Sequence, residues 1–317
     1  MTISINKERL ATTFTTLCEI DSPSKREGKI STWLKNTFTD LAADLVYEDN
    51  SAPKTGSESG NLIIRFNGNQ PQQEGLFFSC HMDTVEPADG VQVVRNDDIF
   101  TSKGETILGG DDKSGISAII ELLQLLKENS IDHPMIEVII TTCEEIGLLG
   151  AKSLEMDKLK SPYGFALDSS GINHVVVGAP AANKLTIVVK GQAAHAGLCP
   201  QAGINALSIT AAALNSVTFG RLDEESSSNF GIITGGVAAN IIPETITLHG
   251  EVRSHSEEKL QYYTDEIKTA FENAVANWQP TQETGDQRPD VDMTIVSDYP
   301  ALSIPSDAAV LQRLQKG

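Results

Sequence analysis

Three apolar runs in this chain end directly in residues that can bind metal or move protons. "GLFFSC" leads into "HMDTV", giving His81 and Asp83; "MIEVIITTC" leads into Glu144 and Glu145; "GFAL" leads into Asp168. A further segment, "GGDDKSG", adds Asp111 and Asp112 after a glycine pair. Adjacent carboxylates repel, and a carboxylate beside an apolar sheet is costly to desolvate. Asp83, Asp111, Glu144, Glu145 and Asp168 gathered around His81 could not all stay ionised without cations. Oxygen and imidazole donors without thiolate suit Zn²⁺, Mn²⁺ or Co²⁺. Two such ions sharing a carboxylate would offset most of the charge, acidify water and clamp a carbonyl oxygen. Neighbouring side chains of an extended segment diverge, so one of the paired glutamates can bind metal while the other faces the attacking water as general base. Taken singly these signals are weak, since an Asp or Glu at a strand end is more often a helix cap or solvated. A phosphate-loop reading of "GGDDKSG" fails, because the GxxxxGK[ST] spacing is missing and two Asp stand where phosphate needs positive charge.

The elements that must position these residues are legible as pattern. Short apolar runs at Asn61–Phe66, Gly75–Cys80, Met135–Thr142 and Tyr163–Asp168 read as strands. Helical spacing covers Lys7–Leu17, Lys25–Leu41 and Ser114–Glu128. Short buried strands alternating with helices predict an α/β fold with a mixed, largely parallel sheet and flanking helices. Ligands bind at the carboxyl ends of such strands, where His81, Asp83, Glu144, Glu145 and Asp168 would converge. The texture changes near Gly178. Strands at Lys184–Gly191, "NFGIITGG", "ETITLHGEVRS" and Asp292–Pro300, with helices at Ile204–Val217 and Ser256–Trp278, give the order β-α-β-β-α-β. This predicts an inserted domain at 179–300, with a first domain at 1–178 that resumes at 301–317 and begins a helix at Ser306 or Asp307.

The bulk composition excludes several classes. A formal net charge of −19 over 317 residues opposes binding to nucleic acid or anionic membranes. No apolar run approaches the roughly 20 residues of a membrane span. The opening "MTISINKERLATTFTTLCEIDS" lacks a basic-then-apolar signal layout. Cys18, Cys80, Cys143 and Cys199 are scattered with no CxxC, which suits reduced thiols in the cytoplasm.

"HMDTV", "GGDDKSG", "CEEIGLLGA" and "ALDSSG" together resemble the co-catalytic metallopeptidase family that includes peptidase T, glutamate carboxypeptidase and acetylornithine deacetylase, and most resemble its peptidase T-like branch. The resemblance implies a zinc-peptidase-like catalytic domain with an inserted lid and dimerisation domain. It implies that His81 and Asp168 hold one metal, Glu145 holds the other and Asp111 bridges them. Asp83 would fix the His81 ring, and Glu144 would carry a proton from water to the leaving amine. A cis peptide between Asp111 and Asp112 is part of the same likeness. In the inserted domain, "GQAAHAG" offers His195, "GGVAANIIPE" offers Asn240 and "GEVRS" offers Arg253 as substrate-binding residues, with His195 often acting across a dimer interface in relatives. Asn240 is also what a turn would use, and Arg253 what an exposed sheet surface would carry. His133, His174, His249 and His255 match nothing and read as structural or solvated.

The implied activity is metal-dependent cleavage of short peptides, tripeptides in particular, by a homodimer. The alternative within the family is a deacylase or carboxypeptidase acting on N-acyl amino acids. One departure bears on activity: the family takes another metal-binding His from beyond the inserted domain, and no His follows His255 here. On this ground the chain is expected to be truncated, to hold its second metal poorly and to be weakly active. A third reading follows, of an inactive fragment that only binds or dimerises.

Overall fold

The run before His81 becomes the strand around which the first sheet is assembled. The computed structural model describes residues 4–171 and 173–314, and it divides into two units, one ending at Asn173 and the other beginning at His174. The first unit contains β1 (Leu45–Glu48), β2 (Leu62–Phe66), β3 (Leu76–His81), the β4–β5 hairpin (Val93–Asn96, Ile99–Ser102), β6 (Ile136–Thr141) and β7 (Gly164–Ala166). Its main sheet runs β1-β2-β6-β3-β7. β3 lies parallel to β6 and β7, whereas β1 and β2 are antiparallel to their neighbours. Every residue of β6 is buried, as expected where a β-branched run is covered on both faces. His81 stands opposite Thr141 in the parallel register, so the carboxyl ends of β3 and β6 are level.

The helices of this unit are α1 (Lys7–Glu19), α2 (Gly28–Asp40), α3 (Ala52–Thr55), α4 (Gly110–Glu128) and α5 (Leu149–Ser153). The Asn6 side chain caps α1 at the Arg9 N–H, worth about 1 kcal/mol. Leu17, Leu34, Phe38, Ile64, Ile119 and Val138 belong to one buried cluster that joins the helices to the sheet, each contributing about 1.5–3 kcal/mol on burial. Gly115 lets α4 approach β3 beneath the site: a Cβ there would lie 2.8 Å from Cys80 Sγ and 2.4 Å from Asp112 Oδ1.

The second unit contains β8 (Gly178–Ala179), β9 (Ala181–Lys190), α6 (Ala206–Asn215), β10 (Gly220–Arg221), β11 (Ser226–Gly235), β12 (Thr245–Ser254), α7 (Glu257–Ala276), β13 (Asp290–Tyr299), β14 (Leu302–Ser303) and α8 (Ala309–Leu314). An antiparallel sheet in the order β10-β11-β12-β9-β13 carries α6 and α7. Leu185, Ile187, Leu248, Ile267 and Phe271 lie in its buried core. The Asn205 and Ser256 side chains cap α6 and α7. Apart from the two-residue β10, this is the β-α-β-β-α-β unit read from the pattern.

The expected strands and helices are present with ends shifted by a few residues. The four-residue strand β1 and the β4–β5 hairpin were not foreseen; each run is too short and too polar to stand out. The first unit closes at Asn173 where the sequence places the change at 178. Leu302 of β14 pairs with Ala179 of β8, so residues given to the resumed first domain hydrogen-bond within the second unit. The last helix starts at Ala309. Residues 1–3, 172 and 315–317, included in the expected domains, lie outside the described residues. Among the described residues no helix is long and apolar enough to cross a membrane.

Candidate metal centre

His81 ends β3 with its ring buried. Its Nδ1 lies 3.0 Å from the Asp83 main-chain carbonyl, which can only accept, so Nδ1 carries a proton. Nε2 then faces carboxylates: Asp111 Oδ1 at 3.2 Å, Glu144 Oε2 at 3.9 Å and Asp168 Oδ2 at 4.0 Å. Two overlapping trios form, His81–Asp111–Glu145 and His81–Glu144–Asp168, each with ligand atoms within 4.8 Å of one another. The structure thus brings together all four residues expected to hold metal. It also places Glu144, expected to carry protons, beside His81 and Asp168. The Asp111–Asp112 peptide is cis. Asp111 is exposed and faces the crevice, whereas Asp112 is buried, and burial pushes its pKa up to about 7.

The turn after β6 is held by side chains from elsewhere in the unit. Thr142 N–H donates to Asn61 Oδ1 (3.1 Å) and Cys143 N–H to Glu27 Oε1 (3.0 Å). Glu144 N–H and Glu145 N–H donate to the two oxygens of Asp83 (2.9 and 3.3 Å). Ser24 Oγ donates to the same carboxylate at 2.6 Å. Gly150 closes the turn, because a Cβ there would lie 2.2 Å from the Thr142 carbonyl oxygen.

The charges are unbalanced as they stand. Burial opposes a charged His81 ring, but Asp83, Glu144 and Asp168 outweigh it and push its pKa up to about 10. Burial also works against Asp83, yet His81, the Ser24 hydroxyl and the Glu144 N–H hold its carboxyl below the usual range. Burial first, then repulsion from neighbouring carboxylates, raises Glu144, Glu145 and Asp168, and His81 offsets this only in part. Four carboxylates around one imidazole, with oxygen and nitrogen donors only, fit hard or borderline divalent cations.

In the second unit, the Ala196 N–H donates to the Asn240 carbonyl at 2.9 Å, which joins the His195 and Asn240 segments. Gly197 N–H donates to His195 Nδ1 at 3.2 Å, so a neutral His195 carries its proton on Nε2, free to donate. Arg253 is elsewhere. Its guanidinium pairs with both oxygens of Glu251, and it stands opposite Ala182 at the far end of β9 from Lys190.

Comparisons with known proteins place the chain in a family. Residues 178–279 match the family described as Peptidase dimerisation domain, and residues 87–196 match M42 glutamyl aminopeptidase. The crystal structure of aminopeptidase PepT from Bacillus cereus ATCC 10987 is 36% identical, with a TM-score of 0.88 over 98% of this chain and 81% of that one. A tripeptidase from Staphylococcus aureus subsp. aureus mu50 is 34% identical, with a TM-score of 0.90 and the same coverage. This chain belongs to the peptidase T-like M20 metallopeptidases. YqjE of Bacillus subtilis (strain 168) is 40% identical over 274 residues, 86% of this chain and 73% of that protein. As a peptidase T-like member, the chain is a metal-dependent peptide hydrolase.

Sequence reasoning missed Ser24, Glu27 and Asn61. Ser24 falls just before the helical pattern of Lys25–Leu41, and Glu27 near its start, where an acidic residue is ordinary. Nothing local marks them, because their partners lie 59, 116 and 81 residues away.

Proposed function

We propose that this peptidase T-like enzyme removes the N-terminal residue from short peptides, tripeptides foremost, using two divalent cations held by the first unit. The observation that carries the reading is the convergence of His81, Asp111, Glu144, Glu145 and Asp168 at the strand ends, in a chain 34% identical to a tripeptidase over 98% of its length. His81 and Asp168 would hold one cation; Glu145 would hold the other more weakly, without the further His that the resemblance calls for, and Asp111, 3.2 Å from His81, would serve both. Zn²⁺ is the first choice for this donor set, with Co²⁺ and Mn²⁺ next. Bound there, the cations supply Lewis acidity that acidifies water and polarises the scissile carbonyl.

The chain's own residues do the rest. Asp83 keeps the His81 ring in one tautomer and orientation. Glu144 lies beside His81 and Asp168, and burial raises its carboxyl towards the range useful for proton transfer. It takes the proton of the attacking water and gives it to the departing amine. His195 Nε2 donates to the carbonyl oxygen as negative charge develops on it. Asn240 and Arg253 position the peptide, Arg253 by pairing its planar fork with a carboxylate in place of Glu251.

Two copies would pair through the second unit. β10 covers the outer edge of β11 only at Ser227 and Ser228, and Ile232 and Ile233 further along are exposed. A cytoplasmic location fits the free thiols of Cys18, Cys80, Cys143 and Cys199. The test is a panel of tripeptides against N-acetyl amino acids, assayed after chelation and on re-addition of Zn²⁺, Co²⁺ or Mn²⁺. Tripeptide cleavage restored by metal is expected. Hydrolysis of the N-acetyl amino acids alone would replace the reading with a deacylase, and metal binding without hydrolysis would replace it with a binding protein.

A further inference from the structure

The turn after β6 contains a residue in an unfavourable backbone conformation. Cys143 has φ +51°, the left-handed region that side chains other than Gly, Asn and Asp rarely enter. It immediately precedes Glu144 and Glu145, so its conformation sets where both carboxylates point. Its N–H donates to Glu27 Oε1 at 3.0 Å and its thiol lies 3.3 Å from the same oxygen. Glu27 is fully buried. Ser57 Oγ donates to its other oxygen, which fixes the carboxylate plane. Glu27 directly precedes α2, where a carboxylate would ordinarily cap the helix, yet its side chain caps no helix N–H. Its carboxylate has instead been taken out of water and aimed at the turn, 116 residues further along the chain.

We propose that Glu27 is a positioning residue for the reaction: by holding the Cys143 N–H it fixes the left-handed turn that aims Glu144 and Glu145 into the crevice. This rests on the roles given to Glu144 and Glu145 above. Asp83 holds the next two N–H groups of the same turn and the Leu149 N–H holds the Cys143 carbonyl at 3.0 Å, but it is Glu27 that takes the N–H of the left-handed residue itself.

The experiment compares Glu27→Gln with Glu27→Ala. Glutamine keeps a carbonyl oxygen for the Cys143 N–H and presents its amide to the Ser57 hydroxyl, which can accept. Alanine removes the acceptor. Glu27→Ala is expected to lower kcat on a tripeptide by about 10²-fold with KM little changed, the size that misplacement by about 1 Å produces. Its Co²⁺ absorption spectrum should change because Glu145 moves, and Glu27→Gln should recover most of the activity and the spectrum. Amide hydrogen exchange at Cys143, Glu144 and Glu145 reads the turn without substrate. It should be faster in Glu27→Ala and near native in Glu27→Gln, so a protein that proves to cleave no peptide still tests the inference. A Glu27→Ala protein with native exchange and native kcat overturns it. So does a folded Glu27→Gln protein as impaired as Glu27→Ala, because the charge rather than the grip on the turn would then matter. Should Glu27→Ala fail to fold, Ser57→Ala keeps the acceptor but frees its rotamer. Exchange at Cys143 should then rise and kcat fall in the same sense, and native values for both overturn the inference.

Discussion

Asp83 and Glu144 are joined through the main chain: Asp83 Oδ1 accepts the Glu144 N–H at 2.9 Å, while the Asp83 carbonyl lies 3.0 Å from His81 Nδ1. One residue therefore sets both the ring proposed to bind metal and the turn that carries the proposed proton carrier. Asp83→Asn replaces one of the two acceptor oxygens with an amide that can only donate, so either the Glu144 N–H or the Glu145 N–H loses its partner. Asp83 Oδ1 also lies 3.5 Å from His81 Nδ1, so metal affinity is expected to fall by up to about 10–100-fold, measured by calorimetric titration, with a further loss of kcat at saturating metal. A variant that lost kcat while keeping full metal affinity would confine Asp83 to the turn.

Glu144 and Glu145 are expected to separate cleanly. Glu145→Ala removes a member of the His81–Asp111–Glu145 trio and should weaken metal binding. Glu144→Ala should keep the metal and lose turnover by about 10²–10⁴-fold, the usual contribution of a general acid–base group. The structure makes this a sharp test, because Glu144 also lies within reach of a cation beside His81 and Asp168. Equal loss of metal in both variants would make Glu144 a ligand.

The strand ends were legible because β6 is a β-branched run broken only by Glu137 and because the residues after β3, β6 and β7 are the wrong kind for an apolar sheet. A costly carboxylate in such a place advertises a purpose. The residues that hold the turn were not legible for the opposite reason. Glu27 and Ser24 sit in a polar segment where charge is unremarkable, and only the fold shows Glu27 to be buried. The mixed sheet was expected, but its edge strand β1 was hidden, four half-buried residues with no clear alternation. In the second unit the pattern gave the β-α-β-β-α-β order. It did not show that His195 and Arg253 lie at opposite ends of one strand pair, since that depends on the β9–β12 register.

The cation-free protein should lose stability as the pH rises. The His81 pKa is about 10 in the fold, against roughly 6.5 in the unfolded chain. A raised histidine contributes stability that is fully present below about 6.5 and is lost as the pH climbs through about 10. The raised carboxyls of Glu144, Glu145 and Asp168 act in the same direction, because the unfolded chain releases those protons first. Asp83, held low, works the other way, and its contribution is lost on acidification. Calorimetry of chelator-treated protein should show Tm falling between pH 6.5 and 10, more steeply than in the Zn²⁺-loaded protein. A cation held by His81 would compete with the ring's proton, so metal binding near neutral pH should release protons, read as a dependence of binding heat on buffer ionisation enthalpy. A flat Tm profile in the cation-free protein would contradict this assignment of charge to His81.

The positions of His195 and Arg253 lead to the last prediction. Thr245 pairs with Lys190 and Arg253 with Ala182, so eight register steps separate Arg253 from the end of the sheet that leads to His195. At about 3.3 Å per residue this is roughly 26 Å, whereas an extended tripeptide spans at most roughly 11 Å. One tripeptide cannot touch both residues of the same copy. If both serve the reaction, one comes from a second copy, and His195 is the residue proposed to act across the interface. His195→Ala and Glu144→Ala should each be nearly inactive. Mixed and allowed to exchange subunits, they should regain activity, because a mixed dimer has one site with native Glu144 served by native His195 from the other copy. Random pairing makes half the dimers mixed with one good site in two, so recovery should approach about a quarter of the native rate. Mixing Glu144→Ala with Glu145→Ala should recover nothing, since both residues belong to one copy's site. Light scattering should show dimers throughout, and Ile233→Lys, which charges the open edge of β11, should abolish recovery by splitting them. No recovery from a confirmed mixed dimer of His195→Ala and Glu144→Ala would place His195 with its own copy's site or outside the reaction.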